Sequence, residues 1–134
     1  MNDFKFGSRT YIMGILNVTP DSFSGDGIHH DLDRAVRAAE SMAEDGADII
    51  DIGGESTRPG AEPVSIEEEI KRTIPVIKKL SKNIGIPISI DTTKAEIARF
   101  ALENGASIIN DITGMDSDPG MIDVAREFNA KVVV

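Results

Sequence analysis

The apolar positions of this chain form short continuous runs that alternate with longer amphipathic stretches. The runs predict five β-strands, at Tyr11–Val18, Ala47–Ile52, Ile86–Ile90, Ser107–Ile112 and Lys131–Val134. Continuous apolar runs are typical of strands in parallel sheets, which are buried on both faces. Because helical stretches separate the runs, the pattern predicts an α/β fold with right-handed crossovers.

Helices are predicted between the strands, at Asp31–Asp45, Ser65–Asn83, Thr93–Asn104 and Pro119–Phe128. The second and third open on a Ser/Thr-x-x-Glu capping box, and Asp118 followed by Pro119 predicts the start of the fourth. Gly46 and Gly105 are suited to end helices. Pro75 is expected to kink or split the second helix, since proline lacks an amide hydrogen.

Two architectures fit four βα units and a fifth strand, namely a doubly wound, flavodoxin-like sheet and a (β/α)8 barrel. A complete barrel needs about 250 residues, whereas the chain has 134. The apolar run Val132–Val134 would lie at a sheet edge with nothing after it to cover it. The sequence therefore predicts a truncated piece or one half of something larger, with a complete five-stranded domain as the alternative.

Composition excludes several functional classes. A formal net charge of −9 and 4% aromatic residues argue against a nucleic-acid partner, which needs clustered Lys and Arg and stacking platforms. No apolar run approaches the roughly 20 residues of a membrane helix, and the N-terminus lacks the apolar region of an export signal. The chain has no cysteine, which is compatible with the cytosol. We therefore expect a cytoplasmic protein without a membrane or nucleic-acid partner.

Polar side chains collect where the predicted strands end. Because the carboxyl ends of parallel strands converge on one face, they are expected to share a site. Four groups follow strands one to four: Asn17, Thr19, Asp21 and Ser22; Glu55 to Arg58; Asp91 to Thr93; and Asn110 with Asp111. Each group also has a structural interpretation, as helix caps, turn formers or solvated charges. His29 and His30, predicted on the first loop, lack the further ligands of a metal site.

Two segments carry a resemblance to a known family. Met13–Ser24 (MGILNVTPDSFS) resembles the first signature of the dihydropteroate synthases, and Asp51–Gly60 (DIGGESTRPG) resembles the second. Ile88–Thr92 and Ile108–Asp111 match the family's third and fourth strand ends. The match covers nearly the whole chain in the expected order. One departure is Ser24–Gly27 (SGDG), where the family often has Ser-Asp-Gly-Gly.

The resemblance implies that residues 1–134 are the N-terminal part of a single pterin-binding (β/α)8 TIM barrel, with about four βα units and the start of strand five. It implies a folate-biosynthesis transferase that condenses 6-hydroxymethyl-7,8-dihydropterin diphosphate with p-aminobenzoate, uses Mg²⁺, is a target of sulfonamides and forms a homodimer. The family's remaining contacts come from later strands, so we expect the isolated chain to be inactive.

The resemblance also implies residue roles. Asp91, Arg58 and Asp21 would be catalytic, and Asn17 would bind the metal. The pterin diphosphate would be bound by Thr57, Asp91 and Asn110. The loops over p-aminobenzoate would contribute Thr19, Pro20, Phe23, Ser56, Arg58 and Pro59.

Two other functions stay open on the sequence. One is a pterin-dependent methyltransferase barrel that works with a corrinoid protein, although its first loop is not expected to carry Thr-Pro-Asp-Ser-Phe. The other is a non-catalytic assembly in which half-barrels pair through their strand edges.

Overall fold

The computed structural model describes residues 4–19 and 28–134. Its five strands are β1 (Met13–Asn17), β2 (Ile49–Gly53), β3 (Ile88–Asp91), β4 (Ile108–Asn110) and β5 (Lys131–Val133). Its four helices are α1 (Ile28–Glu44), α2 (Ile66–Asn83), α3 (Ala95–Glu103) and α4 (Met121–Glu127). Strands and helices alternate, which confirms the predicted α/β class.

The five strands form one parallel sheet whose order, β1-β2-β3-β4-β5, is that of the chain. A flavodoxin-like sheet reverses its strand order at a switch point, which this sheet does not do in its described part. Sequential parallel strands, each followed by a helix, are the arrangement found in a β/α barrel. The strand order therefore decides between the two architectures that the sequence left open.

The two faces of the sheet have different surroundings. A Cβ on Gly14 would lie 3.0 Å from the Met42 sulfur and 3.3 Å from Ile50 Cδ1, so the Gly14 face packs against the helices. The core lies there, and its fully buried members include Ile50, Ile52, Ile77, Leu80, Ile90, Ile97 and Ile109. The other face, here the inner face, carries Ile15, Asp51, Ser89 and Ile108 in one register row. Ile15 is 59% exposed, whereas Asp51, Ser89 and Ile108 are buried, so the inner face is covered at the centre of the sheet and exposed at its β1 edge.

Three helices end in the left-handed conformation that reverses the chain toward the next strand. Gly46 has φ +108°, and Ala47 N donates to Met42 O across the helix end. Gly105 has φ +120°, and any Cβ there would lie 2.4 Å from Ser81 Cβ. The two glycine predictions are thus confirmed, and Asn129 does the same at the end of α4, with φ 49°. These ends form Schellman motifs, which satisfy terminal carbonyl groups.

The predicted helix starts are only partly correct. Ser65 caps α2, because its side chain accepts a hydrogen bond from Glu68 N at 3.2 Å. Thr93 does not cap α3: the N-cap is Lys94, without a side-chain bond, while Thr92 Oγ1 accepts from Lys94 N. Asp118 is not the N-cap of α4 either, since that helix begins at Met121.

The Asp118 carboxylate accounts for that second error. One oxygen accepts from Gly120 N at 2.9 Å and the other from Ala95 N at 2.8 Å, so it joins the loop before α4 to the start of α3. Pro119 consequently lies before the helix and not within its first turn. Pro75 does not split α2, which is continuous from Ile66 to Asn83.

The last correction concerns the start of α1. Helix α1 begins at Ile28, three residues earlier than predicted, so His29 and His30 belong to a helix and not to a loop. Within residues 4–19 and 28–134, no helix is both long and apolar enough to cross a bilayer.

Candidate active site at the carboxyl ends of the strands

Three of the predicted site residues lie in one register row at the carboxyl ends of the strands. Asn17 pairs with Gly53, Gly53 with Asp91, and Asp91 with Asn110. Paired residues of parallel strands point to the same face, here the inner face, so the side chains of Asn17, Asp91 and Asn110 share one end of one surface. Thr57 lies at the same end, on the exposed loop after β2.

Asp91 is the one carboxylate of this row. It is partly buried, and no hydrogen-bond donor among the described residues acts on its pKa. Burial raises its pKa from 3.8 to about 6, and the nearby negative charges of Asp51, Glu69 and Asp111 add to the effect. An acid in this condition is stabilised by any hydrogen-bond donor or cation that reaches it.

Gly53 leaves space for the Asp91 carboxylate. A Cβ on Gly53 would lie 3.3 Å from both Asp91 Cβ and Asp91 Oδ2, closer than most side-chain contacts. Gly54 faces α2 instead, because its Cβ would lie 2.8 Å from Thr73 Cγ2. The glycine pair is therefore required by packing on both sides of the strand, and not only by a turn.

Asp51 is a second inner-face acid, one level below Asp91. It is 2% exposed, and its Oδ2 accepts a hydrogen bond from Asn110 Nδ2 at 3.0 Å. This bond orients the Asn110 amide, and no described residue donates to Asn110 Oδ1. Burial raises the pKa of Asp51, which hydrogen bonding to Ser89 and to Asn110 opposes. Ser89 is the register neighbour of Asp51 on β3, and its hydroxyl and Asp51 Oδ1 are both buried.

Asp51 lies inside the second signature segment, but the sequence did not predict it as a site residue. The available signal was its position, since it is the only charged residue in the otherwise apolar strand Ile49–Gly53. A carboxylate on the buried face of such a strand needs a partner or a ligand.

Asp111 has the structural role that the sequence also allowed. It is fully buried, and its carboxylate accepts from Thr113 N at 2.9 Å, from Thr113 Oγ1 at 2.8 Å and from Met115 N at 3.2 Å. These bonds organise the loop after β4. Asn110 and Asp111 are adjacent in sequence, but only Asn110 faces the inner surface.

The loops after β1 and β2 border a cleft of about 630 Å³. Its lining includes Thr19 from the first loop, Ser56, Arg58 and Pro59 from the second, and Arg72 from α2. The structure thus brings together the described part of the predicted p-aminobenzoate loops. Asp91 and Asn110 do not line this cleft. The predicted residues Pro20, Asp21 and Phe23 lie outside the described residues.

Asn17 is the only predicted metal ligand, and it is exposed at the end of β1. The described residues contain no group of three or more His, Cys, Asp or Glu side chains that could hold a metal ion. Mg²⁺ is often held by one or two protein oxygens together with substrate phosphates and water. One exposed amide oxygen at the rim of the inner face fits that kind of site.

Residues 13–134 match the family model of pterin-binding enzymes. The chain belongs to the pterin-binding enzyme family. Its curated relatives in this family include the dihydropteroate synthase of Bacillus subtilis, which is 57% identical over 130 residues covering 97% of this chain and 46% of the relative. The enzyme of Synechocystis is 53% identical over 98% of this chain and 45% of the relative. The chain therefore spans about half the length of these curated relatives.

Solved structures of the pterin-binding family agree with the sheet described above. The dihydropteroate synthase of Clostridium difficile, solved in the presence of pteroic acid, has a TM-score of 0.93 and 54% identity, over 97% of this chain and 49% of the other. The enzyme of Xanthomonas albilineans with 4-aminobenzoic acid has a TM-score of 0.89 and 47% identity, over 95% and 46%. The resemblance seen in the signatures is confirmed, as is the barrel fold class.

Proposed function

We propose that the complete protein is a dihydropteroate synthase. It condenses 6-hydroxymethyl-7,8-dihydropterin diphosphate with p-aminobenzoate to give 7,8-dihydropteroate and diphosphate. Family membership and the relatives named above support this assignment over a corrinoid-dependent methyltransferase. The observation that carries it is the inner-face row, in which an Asp91 carboxylate without a donor lies beside an oriented Asn110 amide.

Asp91 is the central acceptor for the pterin in this proposal. A pterin ring presents adjacent N–H donors, and a carboxylate can accept two of them. The pKa of about 6 means that Asp91 is mainly ionised at neutral pH, and pterin binding lowers that pKa again. When the C–O bond to diphosphate lengthens, positive charge develops on the methylene carbon and the ring. The Asp91 carboxylate stabilises that charge more in the transition state than in the ground state.

Asn110 completes the ring contacts, since the Asp51 bond leaves its Oδ1 to accept from the pterin. Thr57, on the exposed loop after β2, donates a hydrogen bond from its hydroxyl to the diphosphate. Asn17 fits a Mg²⁺ ligand, and the ion, when bound, neutralises charge on the departing diphosphate.

The second substrate enters through the loops after β1 and β2. Arg58 is exposed at the cleft, where its guanidinium attracts the carboxylate of p-aminobenzoate. The amine of p-aminobenzoate attacks the methylene carbon, the C–O bond breaks, and diphosphate leaves with the electron pair. The new anilinium then loses a proton to water. Pro20, Asp21 and Phe23 belong to the same loops in this scheme, with Asp21 assisting the reaction.

Further properties follow from the same proposal. A dihydropteroate synthase is expected to bind sulfonamides in competition with p-aminobenzoate and to act as a homodimer. The lack of cysteine is compatible with our placing it in the cytoplasm. Competition with p-aminobenzoate tests sulfonamide binding, and light scattering tests the homodimer.

Steady-state synthesis of 7,8-dihydropteroate by the complete protein, with both substrates and Mg²⁺, tests the proposal. We expect product formation that depends on all three components and that sulfonamides inhibit. A protein that binds pterin, forms no dihydropteroate and instead methylates a corrinoid protein would be the alternative enzyme. Absence of both activities and of pterin binding would leave only an assembly role.

A further inference from the structure

A partly buried lysine, Lys94, lies behind the inner face, at the N-cap of α3. The Lys94 ammonium donates to Glu69 Oε2 at 2.7 Å, to Val64 O at 2.8 Å and to Glu55 Oε2 at 2.9 Å. An ammonium has three N–H donors, so all of them are satisfied. The Lys94 side chain is 26% exposed, and that of Glu69 is 2% exposed. The segment after β2, the segment before α2 and α2 itself therefore meet at one cation.

Two of the three acceptors lie at the two ends of one loop. Glu55 lies two residues after the end of β2, and Val64 lies just before Ser65, the N-cap of α2. They also bond to each other, since Val64 N donates to Glu55 Oε2 at 2.8 Å. Residues 56–63 form the loop between these two ends, here the β2 loop, and every one of them is exposed. A loop whose two ends meet in this way is held at its base while its tip stays in solvent.

The base of the β2 loop is also tied to the strand that carries Asp91. Glu69 Oε1 accepts from Thr92 Oγ1 at 2.8 Å, and Thr92 directly follows Asp91. On the other side, Arg72 donates to Gly54 O at 2.8 Å. The position of the loop is therefore set relative to the inner-face row by side-chain bonds and not by the loop's own sequence.

Lys94 compensates negative charge of both Glu55 and Glu69 at this base. Burial raises the pKa of Glu55, but the Val64 amide and Lys94 outweigh it, so the net shift is downward. Burial lowers the pKa of Lys94, and the bonds to Glu69 and Glu55 outweigh that in turn. Removing the cation would leave the Glu55 and Glu69 carboxylates close together, with Arg72 as the remaining cation that acts on Glu55.

We propose that Lys94 is a positioning residue that holds both ends of the β2 loop, so that Arg58 and its neighbours close over the p-aminobenzoate site in one place. This inference rests on the proposed function. Because Lys94 does not contact the inner-face row in the structure, its loss is expected to affect the second substrate and not the pterin. Displacement of a positioning group by about 1 Å is enough to lower activity strongly.

The test combines kinetics with amide hydrogen exchange in the complete protein. Lys94→Met is expected to raise KM for p-aminobenzoate by about 10-fold, with KM for the pterin diphosphate and kcat within about twofold. Exchange should accelerate in residues 55–65. Lys94→Arg keeps the positive charge and several hydrogen-bond donors. It should therefore restore most of the p-aminobenzoate KM and most of the exchange protection of the loop. Lys79→Met is the matched control, because Lys79 pairs with Asp33 on the surface, with both side chains 46% exposed.

Because Lys94→Met is expected to lower the stability of the fold, Glu55→Gln is a milder second variant for the same measurements. It keeps an acceptor for Val64 N and leaves Lys94 paired with Glu69, and it should raise the same KM by a smaller factor. Loop exchange equal to that of the Lys79 control, or equal increases in both KM values, would overturn the inference. If the complete protein makes no dihydropteroate, the proposed function fails, but the exchange comparison still decides whether Lys94 holds the loop.

Discussion

Asp91 is the last residue of β3 and Asp111 directly follows the neighbouring strand β4, yet their surroundings are opposite. Asp111 is fully buried and accepts three hydrogen bonds from its own loop. Asp91 is partly buried, accepts none from the described residues, and has a pKa raised to about 6. The difference lies in the hydrogen-bond donors. A carboxylate that accepts bonds from its own loop organises the chain, whereas a partly buried carboxylate without donors indicates a place where a ligand supplies them.

The same contrast separates two groups of acids around β2. On the inner face, burial raises the pKa of Asp51 and of Asp91. Behind the face, the Val64 amide and Lys94 lower the pKa of Glu55. Asp91 is prepared for a partner from outside and Asp51 orients Asn110, whereas Glu55 holds a loop in place.

The largest expected effect comes from Asp91→Asn. Loss of one electrostatic contact to the transition state typically costs about 10²- to 10³-fold in rate, and we expect kcat/KM to fall by that factor. Stability should be unchanged or slightly higher, because the substitution removes a desolvated charge. Kinetics and urea unfolding measure the two effects. Asp116→Asn, at an exposed position, is the control, and an equal loss in both variants would contradict the assignment.

Asp111→Ala should show the reverse pattern. It removes the acceptor of the Thr113 and Met115 amides and of the Thr113 hydroxyl in the loop after β4, which costs about 1–3 kcal/mol in the free energy of unfolding. Urea denaturation at neutral pH measures this loss. A fully stable Asp111→Ala variant with strongly reduced pterin binding would mean that the two aspartates had been assigned the wrong way round.

The adjacent glycines Gly53 and Gly54 face different surroundings, the Asp91 carboxylate and helix α2, so their substitutions should have different effects. Gly54→Ala places a Cβ 2.8 Å from Thr73 Cγ2 and should cost about 1–3 kcal/mol of stability. Gly53→Ala places one 3.3 Å from the Asp91 carboxylate and should affect pterin affinity more than stability. Thermal unfolding and pterin titration of both variants check the difference. Similar stability losses with equal pterin affinity would remove the distinction between the two sides of the strand.

The smallest effect is on the pH dependence of stability. The folded pKa of Asp91 is raised, so its contribution favours folding below the unfolded value of 3.8 and is lost as pH rises through about 6. Glu55 has the opposite sign, because its lowered pKa stabilises the fold above 4.5 and that contribution is lost as pH falls.

Comparison with Asp91→Asn isolates the Asp91 contribution. Between about pH 4 and about pH 7, the wild-type free energy of unfolding should fall relative to the variant by roughly 1 kcal/mol, after allowance for solvent screening. Urea unfolding at several pH values provides the measurement. A constant difference across this range would mean that the Asp91 pKa is not raised.

Much of the fold could be predicted from the sequence because its signals are local. Continuous apolar runs identified all five strands, and Gly46 and Gly105 identified two helix ends. Strand order could not be predicted, since it depends on which runs pair. The two incorrect caps, Thr93 and Asp118, involve one bond: the Asp118 carboxylate accepts from Ala95 N at the start of α3, 23 residues away. Such long-range partners cannot be predicted from capping patterns.

The candidate site was predictable to the extent that it lies at strand ends. Asn17, Asp91 and Asn110 were predicted to converge, and they share one register row. Asp51 and Lys94 were missed, because their importance depends on Asn110 and on the ends of the β2 loop. The resemblance supplied what pattern could not, namely which ligand such a row of acids and amides would bind.

Titration of the Asp91 carboxyl group by ¹³C NMR, with and without the pterin diphosphate, tests this account most directly. In the free protein the group should titrate at about 6, and saturation with the pterin should lower that pKa clearly because ring N–H groups then donate to the carboxylate. A pKa near 4 in the free protein, or one that saturating pterin leaves unchanged, would contradict the proposal that Asp91 binds the pterin.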